Sequence, residues 1–401
     1  MGCILKKISD SAKERFEKIP FPHRKDEYWR FADLPSWGVD SLFNYFSTSM
    51  REKGDKAESE YLLRMRRRER EVDCSPTSIV ISDGQIMSAD LPKGITAMSF
   101  LAAEDEIPDE LEAFYGDCRG KFDTLQAARA ESGVVLRVKD GADLVVDLAL
   151  VSKLPLSTVG VLVIVGESAS LKLRRSVLNY AGSFGVLRFR YVLMPKSSLE
   201  LATVKMSEEG ARSYEREDFS LGDGAKVRDA LAQIGLSPSR HERNFYLESC
   251  GVDLDTRAFL NIPGGVTHDL RTEQRHSRQL SKSDLAVKAA VSGNGALAFT
   301  GLIGVLPEAQ KTETYQSCRS LLLSDEAKAQ AAPVLEICAN DVACSHGCAV
   351  SKPDDDQLFY MRQRGLSLDD ARGLIVKSFA ETTFAEIGDR QFVDSLMDLI
   401  F

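Results

Sequence analysis

No apolar run in this 401-residue chain approaches the roughly 20 residues that a membrane-spanning helix needs, so a helical span is excluded. The opening MGCILKKISDSAKERF turns charged at Lys6 and carries acid by Asp10, which is not the form of an export signal. Met1-Gly2-Cys3 begins like a myristoylation site, but Lys6 stands where that pattern wants Ser or Thr. The eight cysteines form no disulfide framework, and a chain of this length does not need one. The expectation is a protein of a reducing, cytoplasmic compartment. G-x-x-x-x-G-K-[ST] is missing, which rules out a P-loop for ATP hydrolysis, and neither G-x-S-x-G nor H-E-x-x-H occurs. Basic clusters are scarce too. A net charge of −9 argues against nucleic acid as the main partner, because phosphate contacts need clustered Lys and Arg. The one basic run, RMRRRER at 64–70, is interrupted by Met65 and Glu69 and follows the acidic KAESEYLL, as a solvated helix face does.

The chain that remains is 43% hydrophobic and 28% charged, enough apolar residue to bury a substantial core in more than one unit. Residues 1–130 read as a mainly helical region, with amphipathic stretches such as SAKERFEKI and DELEAFYGDCRGKFDTLQAARAES around one strand-like piece, SIVISDGQI. Residues 131–350 change to short apolar alternations punctuated by Gly, Asp and Ser. The punctuation recurs, with an aliphatic at Leu144, Leu171, Leu199, Val227 and Leu254 at intervals of 27, 28, 28 and 27 residues. A further copy, GNGALAF, puts Leu297 after a longer gap. The gap holds THDLRTEQRHSRQLSKSD, read as an excursion or a polar, exposed strand pair. A fixed period of this size indicates stacked units, each burying its apolar face on its neighbours. Strands inside each unit make the fold mainly β, with a central parallel β-helix flanked by N-terminal and C-terminal helical regions. An antiparallel sandwich with coincident turn spacing is the competing reading.

Residues 351–401 return to helix. Ser351-Lys352-Pro353-Asp354 has the form of a helix start, and Ser367 with Asp370 that of a capping box. LDDARGLIVKSFAETTFAEI then runs to Gly388 as a C-cap, and a second short helix, DRQFVDSLMDLIF, ends the region.

The densest chemistry lies between, in VLEICANDVACSHGCAV, where Cys338, Cys344, His346 and Cys348 fall within eleven positions. Thiolate and imidazole hold soft and borderline metals. Cys344-x-His346-x-Cys348 has the period of a strand, so all three side chains share one face. Neighbours on that face lie roughly 6.5–7 Å apart and the outer cysteines about 13 Å apart, too far to wrap one small ion. Such a strand offers one or two ligands at an edge, with the others supplied elsewhere or by a second protein. Buried cysteine is also an ordinary small hydrophobe, and no closed C-x-x-C pair is present, so plain core packing fits the same residues. His268 and His276 flank an Arg-rich run without a recognised ligand spacing and read as polar contacts, and His23 and His241 stand alone.

FTGLIGV (299–305), AQKTETYQ (309–316), LLLSDEAKAQ (321–330), PVLEI (333–337), CSHG (344–347) and DQLFYMRQRGLSLDDAR (356–372) together resemble the SufB/SufD family, the β-helix proteins of the SUF iron–sulfur cluster assembly system. KDEYWRFADL (25–34) and CSHG point to its SufD branch. The chain departs from that branch at Cys348, where Ala is usual, and at Asn340, where Asp is usual.

The resemblance implies a non-enzymatic scaffold that pairs with a SufB-like protein through its β-helix and with a SufC-like ATPase through C-terminal helices. It implies His346 as an iron or cluster ligand at the SufB–SufD junction, with Cys344 beside it and Cys348 and Cys338 as lesser candidates. Iron or a cluster would be held transiently and shared with SufB, none of it tightly by this chain alone. A homodimer is allowed when the partner is absent. A SufB-like or homodimeric scaffold that keeps the cluster itself, a cytosolic β-helix zinc enzyme on Cys344 and His346, and an interaction protein with inert thiols are the alternatives.

Overall fold

The computed structural model describes residues 4–23, 25–30, 78–384 and 397. From Asp143 to Ser351 every strand is 9 or 10 residues long, and consecutive strands go to opposite sheets. One sheet has ten strands and ends on Ala343–Ser351; the other has nine and ends on Lys328–Ile337. The result is a parallel β-solenoid of about eight turns. Corner residues with positive φ, such as Gly224 at 64° and Gly251 at 67°, turn the chain where a side chain would be strained.

Successive coils stack in register. Leu144 pairs with Leu171, then Leu199, Val227 and Leu254, so the aliphatic period marks one column of the ten-stranded sheet. These residues face inward and form the main core with Val161, Val163, Phe189 and Phe219 from the other sheet. Phe219 stacks on Tyr191 at 4.5 Å and on Phe245 at 4.6 Å between ring centroids.

The structure corrects how the period ends. Leu254 is followed in its column by Ser283, Thr314 and Cys344, while Leu297 belongs to the opposite sheet, beside His268. Nor is THDLRTEQRH an excursion: Thr267–His276 is a regular strand whose His268, Asp269, Gln274 and His276 are buried. An aliphatic marker loses the repeat there because the column itself turns polar.

Helices cover the outside of the solenoid. Ile4–Lys18, Phe100–Ala103, Pro108–Tyr115 and Lys121–Ala127 pack through Leu5, Phe100, Leu111 and Phe114 on Val135, Leu162 and Ile164, the outward positions of the first strands of the nine-stranded sheet. Strands Ser78–Ser82, Gln85–Asp90 and Ile95–Ser99 precede them along the sheets, and Gln85–Asp90 and Ile95–Ser99 run antiparallel to their neighbours. Trp29 sits under the Arg240 guanidinium at 3.9 Å and beside Phe122 and Tyr214, tying the aromatic-rich element to the middle of the solenoid. At the other end, Leu368–Phe384 folds back over the ten-stranded sheet, its Val376, Ala380 and Phe384 against Ala230, Ala232 and Phe259. Asp354 caps helix Asp355–Gln363, and Ser367 Oγ accepts from Asp370 N at 3.0 Å while donating to its carboxylate. The basic run 64–70, Gly388 and most of DRQFVDSLMDLIF lie outside the described residues.

Gly133 is where the helical cover meets the sheet, and a Cβ there would lie 2.3 Å from the Phe100 ring, itself fully buried. Gly133→Ala is expected to lower stability by about 1–3 kcal/mol, read as a fall in the thermal midpoint by circular dichroism.

Candidate functional site: the open end of the solenoid

The last coil has a neighbour on one side only. Ala343–Ser351 pairs with Glu313–Leu322, and Lys328–Ile337 with Ala296–Val305, and no described strand follows either. Each therefore turns a row of free backbone donors and acceptors outward, a ready template for another chain. Side chains that would point into the core in any earlier coil are uncovered here. Val350 is 48% exposed and Ile337 40%, though their partners one coil below, Ser320 and Val305, are buried.

The thiol and imidazole residues occupy this surface. Cys344, His346 and Cys348 lie in register above Thr314, Gln316 and Cys318, all three of which are buried. Their side chains thus share the inward-facing side of an edge strand, and the strand rise keeps neighbours about 6.5–7 Å apart. Cys338 lies in the connection between the two edge strands and is exposed. Cys344 is half-buried against Ile303, Val305 and Ala339. Burial raises the Cys344 and Cys348 thiols above the usual cysteine range and pushes Cys318 up to about 12, with Cys348 adding to the last. A metal taken up here must displace thiol protons, so uptake strengthens as pH rises.

Cys318 was not singled out from sequence. Its distance to Cys348 is 30 residues, close to the coil period, and that interval was the available signal. Of the other histidines His23 is exposed, and His241, His268 and His276 are core groups. His268 bonds Ser239 Oγ at 2.8 Å, and burial lowers its pKa to about 3. His276 Nε2 lies 2.9 Å from Ser283 Oγ, with a pKa lowered by burial to about 4.

One group of metal-type side chains converges inside the solenoid among the described residues: Glu215, Glu217 and His241, with candidate ligand atoms within 4.8 Å of one another. Its electrostatics suit ion pairs better than a metal. Glu217 accepts from Arg175 on one oxygen and from Arg243 Nε at 2.6 Å on the other. Lys205 Nζ lies 2.7 Å from Glu215, and Arg243 also donates to Asp229 at 2.8 and 3.0 Å. The three carboxylates, Glu215, Glu217 and Asp229, already face the three cations Arg175, Lys205 and Arg243. A divalent ion would leave uncompensated positive charge in the core.

Comparison with known proteins adds a second line. A family model described as "SUF system FeS cluster assembly, SufBD core domain" matches residues 152–379, which include the solenoid's open end. The chain is 27% identical to "Protein ABCI7, chloroplastic" of Arabidopsis thaliana, over 97% of this chain and 84% of that protein. It is 30% identical to "Iron-sulfur cluster assembly protein SufD" of Escherichia coli strain K12, over 51% of this chain and 48% of that protein. An iron–sulfur cluster assembly SufBD family protein of Synechocystis is 22% identical over 94% of this chain and 86% of its own length.

Proposed function

The chain belongs to the SufBD family of iron–sulfur cluster assembly proteins, and from that premise we propose that it is a SufD-type scaffold whose open solenoid end pairs with a SufB-like subunit and shares His346 and Cys344 with it as ligands for the cargo iron or cluster. The observation that carries this reading is the coincidence of two free sheet edges with the thiol and imidazole residues. A strand that holds ligands too far apart for one ion makes sense where the partner's edge completes the set. A neutral imidazole beside thiolates also leaves the site less negative than four thiolates and fits release of cargo. Cys348 and Cys338 stand farther along the same end, as secondary ligands.

The scaffold needs no catalytic residue of its own. We assign ATP hydrolysis to a SufC-like partner docked on the C-terminal helices, which present Phe359 at 64% and Tyr360 at 59% exposure. Residues 131–350 are the pairing unit and 351–401 the docking unit, beside a covering region 1–130. Without a SufB-like partner the same edges would accept a second copy. The reading assigns the protein to the cytoplasm; a chloroplast stroma would offer the same reducing chemistry.

Anaerobic co-expression with SufB-like and SufC-like proteins tests the proposal. The wild-type complex is expected to hold iron and acid-labile sulfide, and His346→Ala to lose most of it while the three chains still co-purify. Stoichiometric metal on the isolated chain, with the His346→Ala complex unchanged, would overturn it.

A further inference from the structure

Both edges of the last coil are unpaired, but only one carries a full set of donors. Of the chain's 13 prolines, Pro333 alone lies within a described strand, in the middle of the edge strand Lys328–Ile337. Proline has no backbone N–H, so within a sheet it fits only where that group would have no partner. Along a strand the N–H and C=O groups of successive residues point to opposite sides. Lys328 N donates to Gly295 O at 3.0 Å, and just past the strand's other end Cys338 N donates to Val305 O at 2.8 Å. The even-numbered residues therefore turn their N–H groups back to the preceding coil. Ala329, Ala331, Pro333, Leu335 and Ile337 face the free side, so Pro333 costs the solenoid no hydrogen bond.

The other edge has no such gap. Ala343 N donates to Thr312 O at 2.9 Å, so Cys344, His346, Cys348 and Val350 turn outward, each with its N–H. A strand laid along Ala343–Ser351 meets a donor at every second residue, about 6.5–7 Å apart. Laid along Lys328–Ile337, it would cross about 13 Å between the donors of Ala331 and Leu335. Its own carbonyl opposite Pro333 would be buried without a partner. A symmetric pair of this chain that used the Lys328–Ile337 edge would meet the gap twice. One edge is thus blunted as solvent-facing edges commonly are, and the other is left open.

We propose that Pro333 makes the open end selective: an edge strand of the SufB-like partner is bonded along Ala343–Ser351, while Pro333 keeps Lys328–Ile337 from being extended as a sheet by a second copy of this chain. Selectivity is a difference of affinities, and a donor withheld from the wrong partner creates one as surely as a contact offered to the right one. Pro333 acts through the main chain and binds no cargo. The inference rests on the pairing role assigned above to the open end, but the part that concerns Pro333 is tested without any partner.

Self-association of the isolated, reduced full chain is measured by sedimentation over a range of concentrations, after circular dichroism has shown each variant folded. Pro333→Ala restores the missing donor and is expected to tighten self-association roughly tenfold. Val334→Ala trims the next residue, whose N–H faces the preceding coil, and should leave self-association as in wild type. On the other edge, Val350→Pro removes an outward donor and should weaken binding of the SufB-like partner by a similar factor. Equal self-association of wild type and Pro333→Ala would overturn the proposal, as would an equal rise in Val334→Ala or unchanged partner binding by Val350→Pro. If Val350→Pro does not fold, the comparison of Pro333→Ala with Val334→Ala still decides the role of Pro333. A wild-type chain that fails to bind the SufB-like partner would refute the pairing reading instead, and the self-association result would stand apart from it.

Discussion

Glu217→Ala is expected to cost about 3–5 kcal/mol, the scale for removing one partner of a buried ion pair and stranding the other. Here two partners are stranded. Arg175 and Arg243 approach Glu217 from different coils, and all three side chains are buried. Each arginine keeps some company: Arg175 has Tyr191 and Thr203, and Arg243 has Asp229 and Thr256. Neither regains the lost charge. Glu217→Gln, which keeps the shape and one acceptor, should cost less, and urea unfolding followed by circular dichroism would rank the pair. Acid should mimic the substitution. Burial opposes charging Glu217, but Arg175 and Arg243 outweigh it and hold the carboxyl well below the usual glutamate range. A depressed folded-state value means that the stabilisation is present above the unfolded glutamate pKa of about 4.3. It disappears only as pH falls through the folded value, so the wild type should lose this contribution in strong acid and the alanine variant should show a correspondingly weaker acid dependence.

Ile337→Lys combined with Val350→Lys is expected to abolish pairing at the open end while leaving the monomer folded. Both residues are exposed, one on each edge strand, at positions whose counterparts in earlier coils face the core. Pairing would bury them, and two desolvated ammonium groups without partners would weaken association by at least about 100-fold. Sedimentation of the chain with a SufB-like partner measures the loss. An unchanged association constant would mean that the partner sits elsewhere. A variant that fails to fold would show it by circular dichroism before that comparison is made.

The solenoid could be read from sequence because its coils repeat one aliphatic residue near the start of a strand, and Leu144 through Leu254 advertise the period. The last three coils hid it. Ser283, Thr314 and Cys344 hold the same structural position with side chains that an aliphatic search passes over, and Leu297, which fitted the pattern, lies in the other sheet. The edge location of Cys344 and His346 followed from strand geometry together with family resemblance. The ion pairs in the core could not be seen in the same way. Arg175 and Glu217 are 42 residues apart, and Glu217 and Arg243 are 26 apart. In a local reading such residues look like solvated strand faces; only the stacking of coils turns them inward. Cys318 lies between these cases, hidden in isolation and recoverable once the coil length is known.

The two ends of the solenoid are unlike, and this limits what the protein can build. At the start, Gln85–Asp90 and Ile95–Ser99 reverse direction against the parallel stack, and the register slips at Val80 and Ile81. A short reversed strand with a slipped register is a poor seat for another parallel coil. Among the described strands only the far end offers a free parallel edge. With one competent edge among the described strands, the pairing of solenoid with solenoid proposed above would stop at two units and would not grow into a filament.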